Sequence, residues 1–236
     1  SVWAVVEIDD EVTVSPSASL GELPRWIGED IPVPFSVAQE ASQRLADGNW
    51  AGLPITREAL DVLQSYHESI ADAGVMPSPE CLTVEQHERL FILNYPGGSR
   101  LNRTIGMIVT AMLTAKSGYK IGFQFDPYRI ILDVPARTTV KDLLAILKGF
   151  VPEVGSLLRF AIKDSPSLKP QLLHSARKMG AIAPDADIGK FGMKKLMEAY
   201  SDTPLYTEAV ERFLFHQLDE NGMEKFIHQI NLGEIS

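Results

Sequence analysis

Strand-like patterns occur only in the first 134 residues of this sequence, and this order limits the possible folds more than any other feature. Runs rich in β-branched residues at Val2–Ile8 and Val12–Val14 flank an acidic turn, which is typical of a hairpin. Two further runs, Tyr119–Phe125 and Tyr128–Val134, are joined by the turn Asp126–Pro127. Because tight turns join antiparallel strands, we expect a mostly antiparallel sheet.

Helical patterns lie between these strands and then fill the rest of the chain. Thr56 and Ser99 stand where they could cap the first free amides of two helices. The predicted helices are Ser36–Ala46, Arg57–Ala73, Arg100–Lys116, Val140–Lys148, Glu153–Ile162, Leu168–Met179, Lys190–Tyr200, Tyr206–Gln217 and Met223–Gln229. Two more strands are predicted at Cys81–Glu85 and Leu90–Asn94. The sequence therefore predicts an α+β fold, with an antiparallel sheet or small barrel and packed helices in residues 1–135 and an all-helical subdomain in residues 136–236.

The composition is that of a folded globular protein. The chain has 236 residues, of which 45% are hydrophobic and 22% charged. It contains no apolar run of the roughly 18 residues that a bilayer span requires, and no secretory signal pattern. With the single cysteine Cys81, these features predict a soluble cytoplasmic protein without membrane contact. The abrupt start on a strand suggests a segment of a longer protein, and a stand-alone relative of such a segment is the alternative.

Catalytic and metal-binding motifs were not found in the sequence. The five histidines have no partner at ligand spacing; after His87, the position of a second zinc-ligating histidine is taken by Phe91. Gly97-Gly98-Ser99 lacks the spacing of a phosphate-binding loop for ATP. We therefore expect no catalytic residue, metal or cofactor in this chain. No motif supports the hypothesis of an enzyme that acts on a small molecule.

Charge is unevenly distributed along the chain. The net charge of −9 argues against a free-standing nucleic-acid binder. Residues 99–200, however, hold 16 basic and 8 acidic residues, whereas residues 1–98 hold 4 and 16, and residues 201–236 hold 2 and 7. The middle of the chain is therefore the part that could face a polyanion.

The first turn of the predicted helix at Arg100 is one candidate phosphate contact. A glycine-rich turn precedes it, and Arg100, Asn102 and Arg103 follow within the first helical turns. Helix N-termini bind anions through their free amides. The alternative, a tight turn with solvated arginines, is favoured.

Other candidate contacts are exposed cations and one tryptophan. Arg129 would face outward from the strand pair, and Trp26 with Arg25 lies in a proline-rich loop where it could stack on a base. The helical cations in this group are Arg177, Lys178, Lys190, Lys194 and Lys195. Two simpler explanations stay open: cations near a helix C-terminus offset its dipole, and a loop tryptophan can plug a core edge.

Several segments together resemble the large helicase-related (Lhr-type) helicases, in particular the DEAD/H-associated region of archaeal members. Each segment is weak alone, but their order along almost the whole chain is specific. They are 24–34 (PRWIGEDIPVP), 94–102 with the helix that follows, 122–132 (GFQFDPYRIIL), 157–161, 177–182, 185–187 and 203–209.

The resemblance implies an accessory domain of an ATP-dependent 3′-to-5′ helicase that acts in repair, recombination or processing of nucleic acid. This domain would guide single-stranded DNA or RNA beside RecA-like domains, which bind ATP and Mg²⁺, and a winged-helix domain; the motifs of both are absent from this sequence. Trp26 would stack on a base and Arg25 would contact a phosphate. The alternative is a protein–protein docking module whose acidic ends bind partners, with no direct nucleic-acid contact.

Overall fold

A computed structural model describes residues 2–8, 12–17, 31–74, 76, 78–149, 153–163, 165, 167–183, 186 and 193–236. Its strands are β1 (Val2–Ile8), β2 (Val12–Ser17), β3 (Thr83–His87), β4 (Leu90–Asn94), β5 (Gly122–Phe125) and β6 (Arg129–Asp133). Its helices are α1 (Phe35–Asp47), α2 (Arg57–Asp72), α3 (Gly98–Ser117), α4 (Val140–Lys148), α5 (Val154–Lys163), α6 (Leu168–Lys178), α7 (Met193–Tyr200), α8 (Pro204–Gln217) and α9 (Glu220–Leu232).

All strand pairs are antiparallel, which confirms the predicted α+β class. β1 pairs with β2, and the other four strands form a sheet in the order β3-β4-β6-β5. The β3–β4 turn places Glu88 at φ +51°, a left-handed conformation that is uncommon outside glycine. After Asp133 every described element is a helix, as the sequence predicted.

Helix α3 is the centre of the molecule. Thirteen of its twenty residues are buried, and it packs against β5, β6, α1, α4, α5 and α9. Gly106 permits this close packing, because a Cβ there would lie 2.5 Å from the Phe123 ring. A helix surrounded in this way is apolar on most of its surface.

The hydrophobic core continues across residue 135. Leu132 and Val134 belong to the same buried cluster as Leu143, and the Tyr95 and Phe226 rings lie 4.8 Å apart. The C-terminal residues pair with the segment before β3, since the Ser236 amide donates to the Glu80 carbonyl at 3.0 Å. The division into residues 1–135 and 136–236 stays a prediction.

Several of the helices begin with a side-chain cap. Thr56 caps α2, as predicted, by accepting from the Ala59 amide at 3.3 Å. Thr139 and Asp142 form a reciprocal capping box at α4. The prediction for Ser99 was wrong: α3 begins at Gly98, and the Ser99 hydroxyl instead accepts from the Val33 amide at 2.9 Å.

Candidate nucleic-acid interface

The N-terminus of α3 is covered by the protein's own backbone. The Gly98 amide donates to the Pro127 carbonyl at 2.9 Å, and the Ser99 amide donates to the Val33 carbonyl at 3.0 Å. Gly98 has φ +71°, and a Cβ at that position would lie 2.8 Å from the Val33 oxygen. These two amides are therefore already paired, which supports the tight-turn explanation over a phosphate site.

Arg100 is an exposed residue that binds the end of another helix. Its Nε donates to the Leu218 carbonyl at 2.9 Å, and its Nη2 donates to the Phe215 carbonyl at 2.6 Å. These carbonyls belong to the unpaired end of α8, where a positive charge also offsets the helix dipole. The guanidinium thus joins α3 to α8.

Asn102 and Arg103 are buried rather than presented to solvent. Asn102 is 0% exposed, and its amide donates to the carbonyls of Tyr95 and Asp126. Arg103 is 4% exposed, donates to Gln217 Oε1 at 2.6 Å and lies 5.0 Å from the Phe213 ring centroid. Both side chains hold elements of the protein together.

Arg129 is exposed at the start of β6, where it pairs with Asp126. Its Nε lies 2.6 Å from Asp126 Oδ2, and this hydrogen bond raises the pKa of the Arg129 guanidinium. Asp126 Oδ1 also accepts the amides of Tyr128 and Arg129, so the carboxylate shapes the turn. A phosphate at Arg129 would have to compete with this carboxylate.

Arg177 and Lys178 are exposed in the last turn of α6. Neither side chain has a hydrogen bond or ion pair with another residue in the part of the chain that the structure describes. Their charges are therefore available to an external anion, and they also complement the helix dipole. Of the predicted cations with described side chains, this pair is the best placed to contact a phosphate.

The side chains of the remaining predicted contacts lie outside the part of the chain that the structure describes. Lys194 and Lys195 lie within α7, and Arg25, Trp26 and Lys190 lie outside the described residues. Among the described residues, Arg100, Asn102 and Arg103 bind within the protein, whereas Arg177 and Lys178 are exposed on α6; that the whole set forms one site stays a prediction.

Sequence reasoning missed a large cavity between α1, α2 and the turn before β6. Its volume is about 810 Å³, and its walls include the aromatic residues Trp50, Tyr66 and Tyr128. Its lining is mostly apolar, and its charged lining residues are Glu40, Arg44 and Arg129. The signal available in the sequence was the helical spacing of apolar residues in α1 and α2, which predicts one apolar face for each helix but not that the two faces meet.

The comparisons with known proteins point to one family. The family model described as DEAD/H associated matches residues 76–236, which is more than half of the chain.

The chain belongs to the DEAD/H associated family.

This DEAD/H-associated chain also shares its fold with a solved structure titled "Structure of Mycobacterium smegmatis helicase Lhr bound to ssDNA and AMP-PNP". The TM-score is 0.66 at 17% sequence identity, over 92% of this chain and 31% of that chain. The chain thus spans about a third of the helicase it matches. No curated protein matches the sequence. Across the described residues, no helix is long and apolar enough to cross a membrane.

Proposed function

We propose that this DEAD/H-associated chain is an accessory domain of an Lhr-type ATP-dependent 3′-to-5′ helicase, where it guides the tracked single strand. The fold that this chain shares with the Mycobacterium smegmatis helicase Lhr, a structure with bound ssDNA and AMP-PNP, carries the proposal. The family match, which covers α3, the four-stranded sheet and the helices after it, supports it. RecA-like and winged-helix domains would be its partners within that helicase.

The domain would act by binding, without chemistry of its own. Exposed cations contact phosphates without reading sequence, as a strand that slides through a channel requires. Arg177 and Lys178 carry charge that no described residue neutralises, so they are the first candidates. ATP and Mg²⁺ would be bound by the RecA-like domains, since Gly97-Gly98-Ser99 lacks the spacing of a phosphate-binding loop.

Trp26 would supply stacking. Each base stacked on an aromatic side chain is worth about 1–3 kcal/mol in single-strand binders, which is roughly 5- to 150-fold in affinity. Arg25 beside it would contact a phosphate, and the cations of α7 would extend the path.

Fluorescence anisotropy of a labelled single strand tests this function. We expect binding that weakens steeply with salt, a loss of roughly 5- to 150-fold for Trp26→Ala, and a lower salt slope for Arg177→Ala/Lys178→Ala, by about 0.7 per lost phosphate contact. Lys148→Ala/Lys225→Ala is the matched control, because it removes the same charge from exposed positions outside the predicted set.

Two results would count against strand guiding. One is an absence of binding at low salt, which would favour the protein-docking alternative. The other is an equal loss in the control and in Arg177→Ala/Lys178→Ala, which would reduce the contact to general charge.

A further inference from the structure

Helix α6 has a solvent-facing side without any carboxylate. Its eleven residues include Lys169, Arg177 and Lys178 and no acidic residue. The opposite side, which includes Leu172 and Ala176, is buried, and α6 packs against α8. The exposed side of α6 is therefore electropositive.

Arg212 of α8 lies beside this side of α6. It is half-buried, and its Nε donates to Gln171 Oε1 on α6 at 3.1 Å. Among the described residues this neutral side chain is the only hydrogen-bond partner of the Arg212 guanidinium, and Arg212 forms no ion pair with any of them. Withdrawing a charged group from water without a carboxylate partner is unfavourable. An anionic ligand at Arg212 would supply the missing counter-charge.

The carboxylates of α8 near Arg212 do not supply it. Glu211 pairs with Arg159 at 3.0 Å, and Glu208 forms no ion pair with a described residue. Glu208 is also exposed, so water and salt screen its charge. The Arg212 guanidinium therefore keeps its attraction for an external anion.

The polar positions of α6 continue from Arg212 toward the C-terminal end of the helix. Gln171, His174 and Lys178 are separated by three and four residues, so they share one side of α6, and Arg177 precedes Lys178. At 1.5 Å per residue, the seven-residue interval from Gln171 to Lys178 spans about 10 Å. A row of cations of that length matches a chain of phosphates better than a single anion.

We propose that the guided strand runs along α6 and that Arg212 is one of its phosphate contacts, at the other end of the row from Arg177 and Lys178. The Arg212 Nε stays bonded to Gln171 while its two terminal nitrogens donate to a phosphate oxygen. His174 is exposed between the two ends, where its ring can donate to the backbone of the strand. This assignment rests on the proposed strand-guiding function and adds a residue from a second helix to it.

Fluorescence anisotropy of a labelled oligothymidylate with the full chain tests the contact. Arg212→Gln is expected to weaken binding roughly tenfold at low salt and to lower the salt slope by about 0.7, the value of one phosphate contact. Arg212→Lys keeps the charge and should recover most of the affinity. Arg57→Gln is the matched control, because it makes the same change at an exposed arginine of α2 with no described partner. Its affinity should change less than twofold.

Gln171→Leu distinguishes a strand contact from a structural link. It removes the hydrogen bond between α6 and α8 but keeps the Arg212 charge. If Arg212 contacts the strand, Gln171→Leu should lose clearly less affinity than Arg212→Gln and keep the wild-type salt slope. Circular dichroism verifies that each variant is folded.

Four results would overturn the assignment. Wild-type binding that Arg212→Gln leaves unchanged would remove this contact while the strand-guiding function stands. An absence of strand binding by the wild type at low salt would remove that function and the contact with it. Equal losses in Arg212→Gln and Gln171→Leu would reduce Arg212 to a link between α6 and α8. An oligoglutamate peptide that displaces the strand and depends on Arg212 as strongly would make α6 a docking surface for an acidic protein segment.

Discussion

Replacing Arg103 with methionine separates a structural role from a nucleic-acid contact. Methionine keeps an apolar stem of similar reach but removes the charge and the hydrogen bond to Gln217. It also removes the guanidinium from the Phe213 and Phe125 rings, whose centroids lie 5.0 and 5.7 Å away. If Arg103 holds α3 to α8, the variant loses stability; if it contacts a strand, the variant loses affinity.

The magnitude follows from these contacts. A hydrogen bond from a charged donor contributes about 1.5–3 kcal/mol, and a cation–π contact about 0.5–2 kcal/mol. Part of this is recovered, since Gln217 is only half-buried and can bind water, and methionine packs well against aromatic rings. We expect a net loss of about 2–3 kcal/mol in the free energy of unfolding, which lowers the melting temperature by about 4–12 °C.

Urea denaturation, monitored by circular dichroism, measures the stability. Strand binding is measured at a temperature well below the melting temperature. Arg177→Met is the matched control, because it makes the same chemical change at an exposed position with no described partner. It should lower the free energy of unfolding by only about 0.3–1 kcal/mol, the contribution of its charge to the helix dipole, and weaken strand binding. The structural assignment of Arg103 is refuted if Arg103→Met unfolds at the wild-type midpoint while its affinity for the strand falls.

Three further changes test the fold around these residues. Gly98→Ala should cost about 2–4 kcal/mol in a urea titration, because φ +71° strains alanine and its Cβ would clash with the Val33 oxygen. Hydrogen bonds from Lys116 and Thr139 hold the pKa of Asp142 below its usual range, so stability should fall as pH drops below about 4, and less so in Asp142→Asn. Burial raises the pKa of Tyr95 to about 12, so stability should fall as pH rises from about 10 to 12. Unfolding followed by ultraviolet absorbance at each pH in this range measures the fall.

Each of these has its own control and contrary result. Gly118→Ala has a similar φ of +72° but nothing within 4 Å of the added Cβ, so it should cost only about 1–2 kcal/mol; equal costs would remove the clash argument. An acid transition that is the same in wild type and Asp142→Asn would show that Asp142 does not drive it. Ionisation of Tyr95 in the folded protein near pH 10 would contradict its burial.

Most of the fold could be predicted because each element has its own local signal. Strand alternation at Leu90–Asn94, the turn Asp126–Pro127 and the cap at Thr56 act over a few residues, and the structure contains all three. Boundaries that depend on tertiary contacts could not be predicted. Ser99 has the chemistry of an N-cap, but its hydroxyl is taken by Val33, a residue 66 positions earlier that no local pattern connects to it.

The candidate contacts were harder to predict, since a charged side chain has the same sequence signal whether it faces solvent or the core. Arg100, Arg103 and Arg177 all lie in predicted helices within the basic middle of the chain. In the structure, Arg100 donates to the carbonyls at the end of α8, Arg103 is buried against Gln217, and Arg177 is exposed. What separates them is the position of α8, and that position depends on the core as a whole.

The same reasoning explains why charge counted along the chain only partly describes the surface. The basic excess of residues 99–200 includes Arg100 and Arg103, which are used inside the protein, so its free charge lies elsewhere. The acidic excess of residues 1–98, by contrast, includes six exposed carboxylates on α1 and α2, of which only Glu40 lines the cavity between these helices.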